Sequence, residues 1–95
     1  MKTYTSDTRI FFNKDCGKYG VDKLVKGYVL DGKQLYKWSQ QAISDKQIYT
    51  PYRAVALRWA RSIATDAIEV RADMQDQSII DDKIHSIEYV SGLTR

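Results

Sequence analysis

The 95 residues carry a formal net charge of +3 and a sequence pI of about 9.0, enough chain for one compact domain and not for two. Hydrophobic residues at 43% and charged residues at 28% are the proportions of a soluble globular protein, and the mild basic excess permits contact with a polyanion without requiring it. A single cysteine, Cys16, excludes an internal disulfide, no Cys/His set has zinc spacing, and no apolar run approaches the roughly 18 residues of a membrane span, so a reduced, cytoplasmic protein without a signal peptide is expected.

A first strand is expected over residues 4–14, broken near Ser6-Asp7, with Ile10, Phe11 and Phe12 as its apolar centre. Period two places Phe11, Asn13 and Asp15 on one face, and Ile10, Phe12 and Lys14 on the other. Gly17 and Gly20 bracket a turn. The runs 24–30 and 33–41 flank Asp31-Gly32, a strong signal for a hairpin closed by a type I′ turn, because both central residues need positive φ. In the returning strand Tyr36, Trp38 and Gln40 alternate with Leu35, Lys37 and Ser39.

Thr50-Pro51 reads as a cap followed by a first helical residue, and a helix is expected over 51–65. Tyr52, Ala56, Trp59, Ala60 and Ile63 form its apolar stripe, with Arg53, Arg58 and Arg61 opposite, either as a solvated face or as contacts to nucleic acid. Residues 67–72 read as a short strand ending on Asp73. A second helix is expected over 76–83, from its acidic first turn and the spacing of Ile79, Ile80 and Ile84, and a last strand over 85–90. The alternating order of strands and helices implies right-handed crossovers. The expected fold is α/β: a five-stranded mixed sheet, its first three strands antiparallel and its last two parallel to the first, carrying two helices.

That order, with IFFNKDC, GYVLDGKQLYKWSQ, TPYRAVALRWA, AIEVRADMQ and IEYVSGL at the joins, resembles the ribonuclease H family over nearly the whole chain. The resemblance implies a two-metal phosphodiesterase, in which carboxylates hold two Mg²⁺ ions beside a phosphate. Position by position, the first-strand acid falls on Asn13, the helix glutamate on Val55, the fourth-strand acid on Asp73 and the family histidine on Leu93; the last acid would lie on a helix beyond Arg95. A register shift brings Asp15 into the first-strand role, and Asp15 with Asp73 then forms a reduced Mg²⁺ site. Cys16, Thr50 and Gln75 fall on substrate-facing positions, each with a structural alternative: small buried residue, helix cap, helix start. The family's Asn-Asn pair before the helix is replaced by Pro51-Tyr52.

His85 lacks a triad partner and reads as an ordinary exposed residue, Asp81-Asp82 as a solvated helix face, and Trp38 as core or sheet-edge packing rather than a base-stacking platform. The expected function is that of a catalytically inactive ribonuclease H-like binding module, of viral or mobile-element type, contacting a protein partner, nucleic acid or both and needing no cofactor. Two alternatives stand beside it: a residual Mg-dependent nuclease acting on RNA–DNA hybrid, and a structural subunit of a larger assembly. Without the family's terminal helix, sheet surface is left for a homo-oligomer or a protein partner to cover.

Overall fold

Ser6 and Asp7 split the N-terminal β-forming run into two strands with different partners. In the computed structural model, which describes residues 3–65, 68–70 and 83–91, β1 (Thr3–Thr5) precedes this break and β2 (Thr8–Asn13) follows it. A turn at 14–17 leads into β3 (Lys18–Leu30), and the Asp31-Gly32 turn leads into β4 (Lys33–Gln41). The helix α1 (Arg53–Ile63), the short β5 (Ile68–Val70) and β6 (Ile84–Val90) complete the described elements.

β2, β3, β4 and β6 form one antiparallel sheet in the order β4-β3-β2-β6, and β1 pairs with β5 in a separate antiparallel ribbon. This corrects the expected five-stranded mixed sheet of ribonuclease H-like topology. β6 runs antiparallel to β2, with Thr8 opposite Val90 and Ile10 opposite Glu88, and β5 lies outside the main sheet. The physical reason is that alternation decides which residues share a face and leaves strand direction open. The break at Ser6-Asp7 supplies β5 with a different partner: Ser6 Oγ donates to the carbonyls of Thr8 (3.1 Å) and Val90, fixing the corner between the two sheets. One helix is present among the described residues where two were expected; the second, over 76–83, falls outside them except for Lys83, which sits in a turn.

The local expectations fare better. Asp31 (φ 53°) and Gly32 (φ 75°) both have positive φ, and Leu30 pairs with Lys33 across them, as a type I′ turn requires. Gly17 (φ 68°) closes the preceding turn, its N–H donating to Asn13 O at 2.8 Å. Gly20 is not a turn residue: it lies inside β3, opposite Phe11.

One sheet face packs on α1. Ile10, Val21, Ile43 and Val90 meet Ala56 and Ala60, both fully buried, while Val55, Trp59 and Ile63 flank the contact half-buried. Alanines at i, i+4 let the helix backbone approach the sheet, and the larger residues close the sides. Tyr52, assigned to this stripe from spacing, is 67% exposed because the helix begins one residue after it. The other face carries Phe11, Leu24, Trp38 and the charged pair Arg9 and Asp22, all buried.

A methyl group at Gly20 would lie 2.5 Å from Phe11 Cζ and 3.0 Å from both Cε atoms. Phe11 is 2% exposed and sits edge-on to Tyr49 at 6.3 Å, so it has no room to retreat. Gly20→Ala is therefore expected to lower the urea unfolding free energy by about 1–3 kcal/mol through overpacking. Adding Phe11→Leu should return part of that loss; strictly additive losses would show that the two residues do not compete for the same space.

Candidate functional site

Both ends of α1 are tied to the sheet. At its C-terminus the buried Asp7 carboxylate accepts from Lys23 Nζ (2.8 Å), the Thr65 backbone N–H (3.0 Å), the Thr65 hydroxyl and the Thr8 hydroxyl (3.1 Å). Lys23 Nζ also donates to Ile63 O at 2.7 Å, placing a cation on the negative end of the helix dipole. Burial pushes the Asp7 carboxyl upward, and the hydrogen bonds from Lys23 and Thr65 outweigh it, leaving the group below its usual range. At the N-terminus Thr50 and Tyr19 exchange backbone hydrogen bonds of 2.7 and 2.9 Å, and Thr50 Oγ1 accepts from Tyr52 N–H at 3.2 Å. Thr50 thus shapes the entry to the helix from two residues before it, while Tyr52 occupies the capping position without a side-chain bond.

The residues singled out in sequence separate into three groups. Asn13, Asp15, Cys16 and Thr50 gather at one end of the sheet. Asn13 Nδ2 donates to Tyr49 Oη (3.1 Å), Asn13 Oδ1 accepts from Asp15 N–H (3.0 Å), and the Asp15 carboxylate meets Lys83 Nζ at 3.1 Å. Cys16 is exposed, unlike the small buried residue of its structural alternative, and Thr50 is buried at the entry to α1. Arg53, Arg58 and Arg61 form the second group, all exposed on α1; Arg53 pairs with Glu88, both about half exposed, a bond worth no more than about 1 kcal/mol. Asp73 and Gln75 lie outside the described residues. Among the described residues no three His, Cys, Asp or Glu side chains gather as a metal site. No described helix is long and apolar enough to cross a membrane.

α1 and the turn before it enclose an open-sided cavity of about 400 Å³. Ser44 and Gln47 pair across the two-residue turn Asp45-Lys46 and form one wall; Val55, Arg58, Trp59 and Ser62 form the other, over a base at Ile43. The two hydroxyls are committed: Ser44 Oγ donates to Gln47 Oε1 (3.2 Å) and Ser62 Oγ to Trp59 O (2.7 Å). The Trp59 indole N–H is shielded from solvent and has no acceptor among the described residues. Arg58 and Arg61, neighbours at i, i+3, form no ion pair among the described residues. The cavity therefore combines apolar and aromatic lining from Ile43, Val55 and Trp59 with the exposed guanidinium of Arg58. Spacing along the helix assigned Trp59 to the core stripe, and nothing in the sequence shows that residues 43–47 return to meet it.

The opposite sheet face holds a second polar cluster. Arg9 Nε donates to Asp22 Oδ2 at 2.9 Å, with both side chains 1% exposed, and the guanidinium lies 4.1 Å from the Trp38 ring centroid. Tyr89 meets the Trp38 ring at 5.9 Å. Both terminal nitrogens of Arg9 and Asp22 Oδ1 lack partners. Burial raises the Asp22 carboxyl from 3.8 to about 6, against the pull of Arg9. Its geometry is that of a buried structural ion pair. A signal for it exists in sequence: Arg9 directly precedes the apolar run Ile10-Phe11-Phe12 and shares the strand face of Phe11.

Because its folded value lies above the unfolded one, Asp22 contributes stability that is present below pH 3.8 and lost as pH rises through about 6. Asp7 acts in the opposite sense, contributing above its unfolded value and losing that as pH falls through its lowered one. Asp22→Leu alone should cost about 3–5 kcal/mol by stranding Arg9, whereas Arg9→Met with Asp22→Leu should be neutral or stabilising at pH 7. Thermal unfolding from pH 4 to 6.5 should show a decline in the parent protein that the double variant lacks. A decline of equal size in both would remove Asp22 as its source.

The chain matches no family model, no curated protein and no solved structure.

Proposed function

We propose that this chain is a non-catalytic nucleic-acid-binding module whose contact surface is the solvent face of α1 and the turn at 44–47. The observation that carries this reading is the distribution of charge. Asp15, Asp31 and Asp45 are the exposed aspartates among the described residues. Exposed cations stand on several elements: Lys14 and Lys18 at the β2–β3 turn, Lys26, Lys33 and Lys37 on the β3–β4 hairpin, and Arg53, Arg58 and Arg61 on α1. The net +3 of the whole chain understates this, since Asp66, Asp73, Asp76, Asp81 and Asp82 all fall in one other stretch of sequence. A surface rich in exposed cations favours a polyanion through counterion release, and an aromatic beside two arginines adds a stacking partner for an unpaired base.

The non-catalytic part of the reading draws on the sheet end where the family resemblance places its first acid. Asn13 spends its amide on Tyr49 and on the Asp15 backbone, and Asp15 is drawn to Lys83. Their hydrogen bonds shape a turn. Val55, at the position of the helix glutamate, packs half-buried against the core.

Binding to a single-stranded oligonucleotide should weaken steeply as salt rises, with a log–log slope proportional to the number of phosphates contacted. Arg58→Glu with Arg61→Glu should reduce affinity at low salt at least tenfold and flatten that slope by about 0.7 for each lost contact. Fluorescence anisotropy at several salt concentrations measures both. An absence of salt-dependent binding to any single strand or duplex would overturn the proposal and turn attention to a protein partner at Tyr28 and Val29, which are 63% and 62% exposed on the hairpin.

A further inference from the structure

We infer that the cavity between α1 and the turn at 44–47 seats one unpaired nucleobase; this rests on the nucleic-acid reading above and assigns it a position and a mode. The cavity volume, about 400 Å³, lies within the roughly 300–1,000 Å³ range of pockets that enclose small ligands. Its walls are unequal in chemistry. Ile43, Val55 and the half-buried Trp59 ring provide flat and apolar surface suited to the face of a heterocycle.

The polar atoms around it offer both signs: the two serine oxygens can accept, and the Gln47 amide and Arg58 guanidinium can donate. Ser44 and Ser62 have given their hydroxyl hydrogens to Gln47 and to the Trp59 carbonyl. Gln47 accepts through Oε1, so its amide hydrogens are left for a ligand. The Gln47 amide and the Arg58 guanidinium, both exposed beside this wall, favour a ligand that brings acceptors. Nucleobase rings carry carbonyl and ring-nitrogen acceptors at their edges. Arg58, at the same cavity and exposed, supplies the positive charge that the adjoining phosphate needs, with Arg61 one turn further along the helix. A purely aliphatic ligand would leave every one of these donors unmet, and an inorganic anion would leave the apolar wall unused.

Single-strand sites of this kind draw base-dependent affinity from stacking and accept any base, because every base has a π-face. The contact is therefore expected to be general in sequence and specific for unpaired strands. Duplex DNA and RNA, whose bases are stacked on one another, should bind through charge alone.

The test uses the whole chain and two probes of about eight nucleotides: oligothymidylate and the same backbone made with abasic sites. Oligothymidylate should shift the Trp59 indole N–H resonance and leave that of the buried Trp38 in place; the abasic strand should bind more weakly and move neither. Trp59→Leu should lower affinity for oligothymidylate roughly 5- to 150-fold, the range for one stacked base, without changing the abasic affinity. Trp59→Phe should keep most of that affinity, and Gln47→Ala, on an exposed turn, checks the site without touching the core. Salt-dependent binding with equal affinity for both probes, or an unmoved Trp59 resonance, would overturn the base pocket and leave the charge-based reading intact. No binding of either probe would overturn both.

Discussion

The Asp7 carboxylate is the joint on which the arrangement turns. It sits at the break between β1 and β2 and collects Lys23 from β3 and both donors of Thr65, just past α1. Lys23 in turn reaches the last carbonyl-bearing residue of the helix, Ile63. One buried carboxylate thus decides where the first strand breaks, where the helix ends and how the helix lies across β2 and β3. A charge this deeply buried is tolerable only when its lone pairs are filled, and here several donors fill them. With the far end held by Thr50 and Tyr19, α1 is fixed at both ends, and the position of Trp59 and Arg58 follows.

The two sheet faces solve the burial of polar groups differently. On the helix side the core is apolar and the Asp7 cluster at its margin is fully hydrogen-bonded. On the other side Arg9 and Asp22 share one bond and leave three atoms without partners. Such a pair gives little net stability and penalises misregistered alternatives, since sliding β2 against β3 by one residue would separate the charges and strand both. The Trp38 face under the guanidinium offsets part of the cost. This face reads as a device that fixes strand register, whereas the helix face, with an open-sided cavity beside the exposed Arg58, is where a ligand has something to gain.

Local chemistry was legible in the sequence and long-range pairing was not. Asp31-Gly32 requires positive φ at both residues whatever surrounds it, so the hairpin could be read directly. The arginines of α1 lie opposite a stripe of alanines at 56 and 60, and helical period alone places them in solvent. By contrast, the direction of β6 and the partner of β5 depend on contacts more than sixty residues apart, such as Ser6 with Val90 and Thr3 with Val70, which no local pattern encodes. The cavity was hidden for the same reason: one wall is a helix face read as core, and the other is a polar turn read as a connection. Arg9, beside an apolar run and on the face of Phe11, needs a partner once buried, and Asp22 stands directly opposite it.

A mildly basic domain could bind nucleic acid anywhere on its surface; the fold makes a narrower claim, that contact centres on one helix face and the turn beside it. Backbone amide shifts of the isotope-labelled protein, followed on addition of a short single-stranded oligonucleotide at low salt, test this most directly. The account predicts the largest shifts at Ser44, Gln47, Arg58, Trp59 and Arg61, with β4 and the Arg9–Asp22 face unmoved. Shifts concentrated on Tyr28 and Val29, or on the turn at residues 13–17, would contradict it.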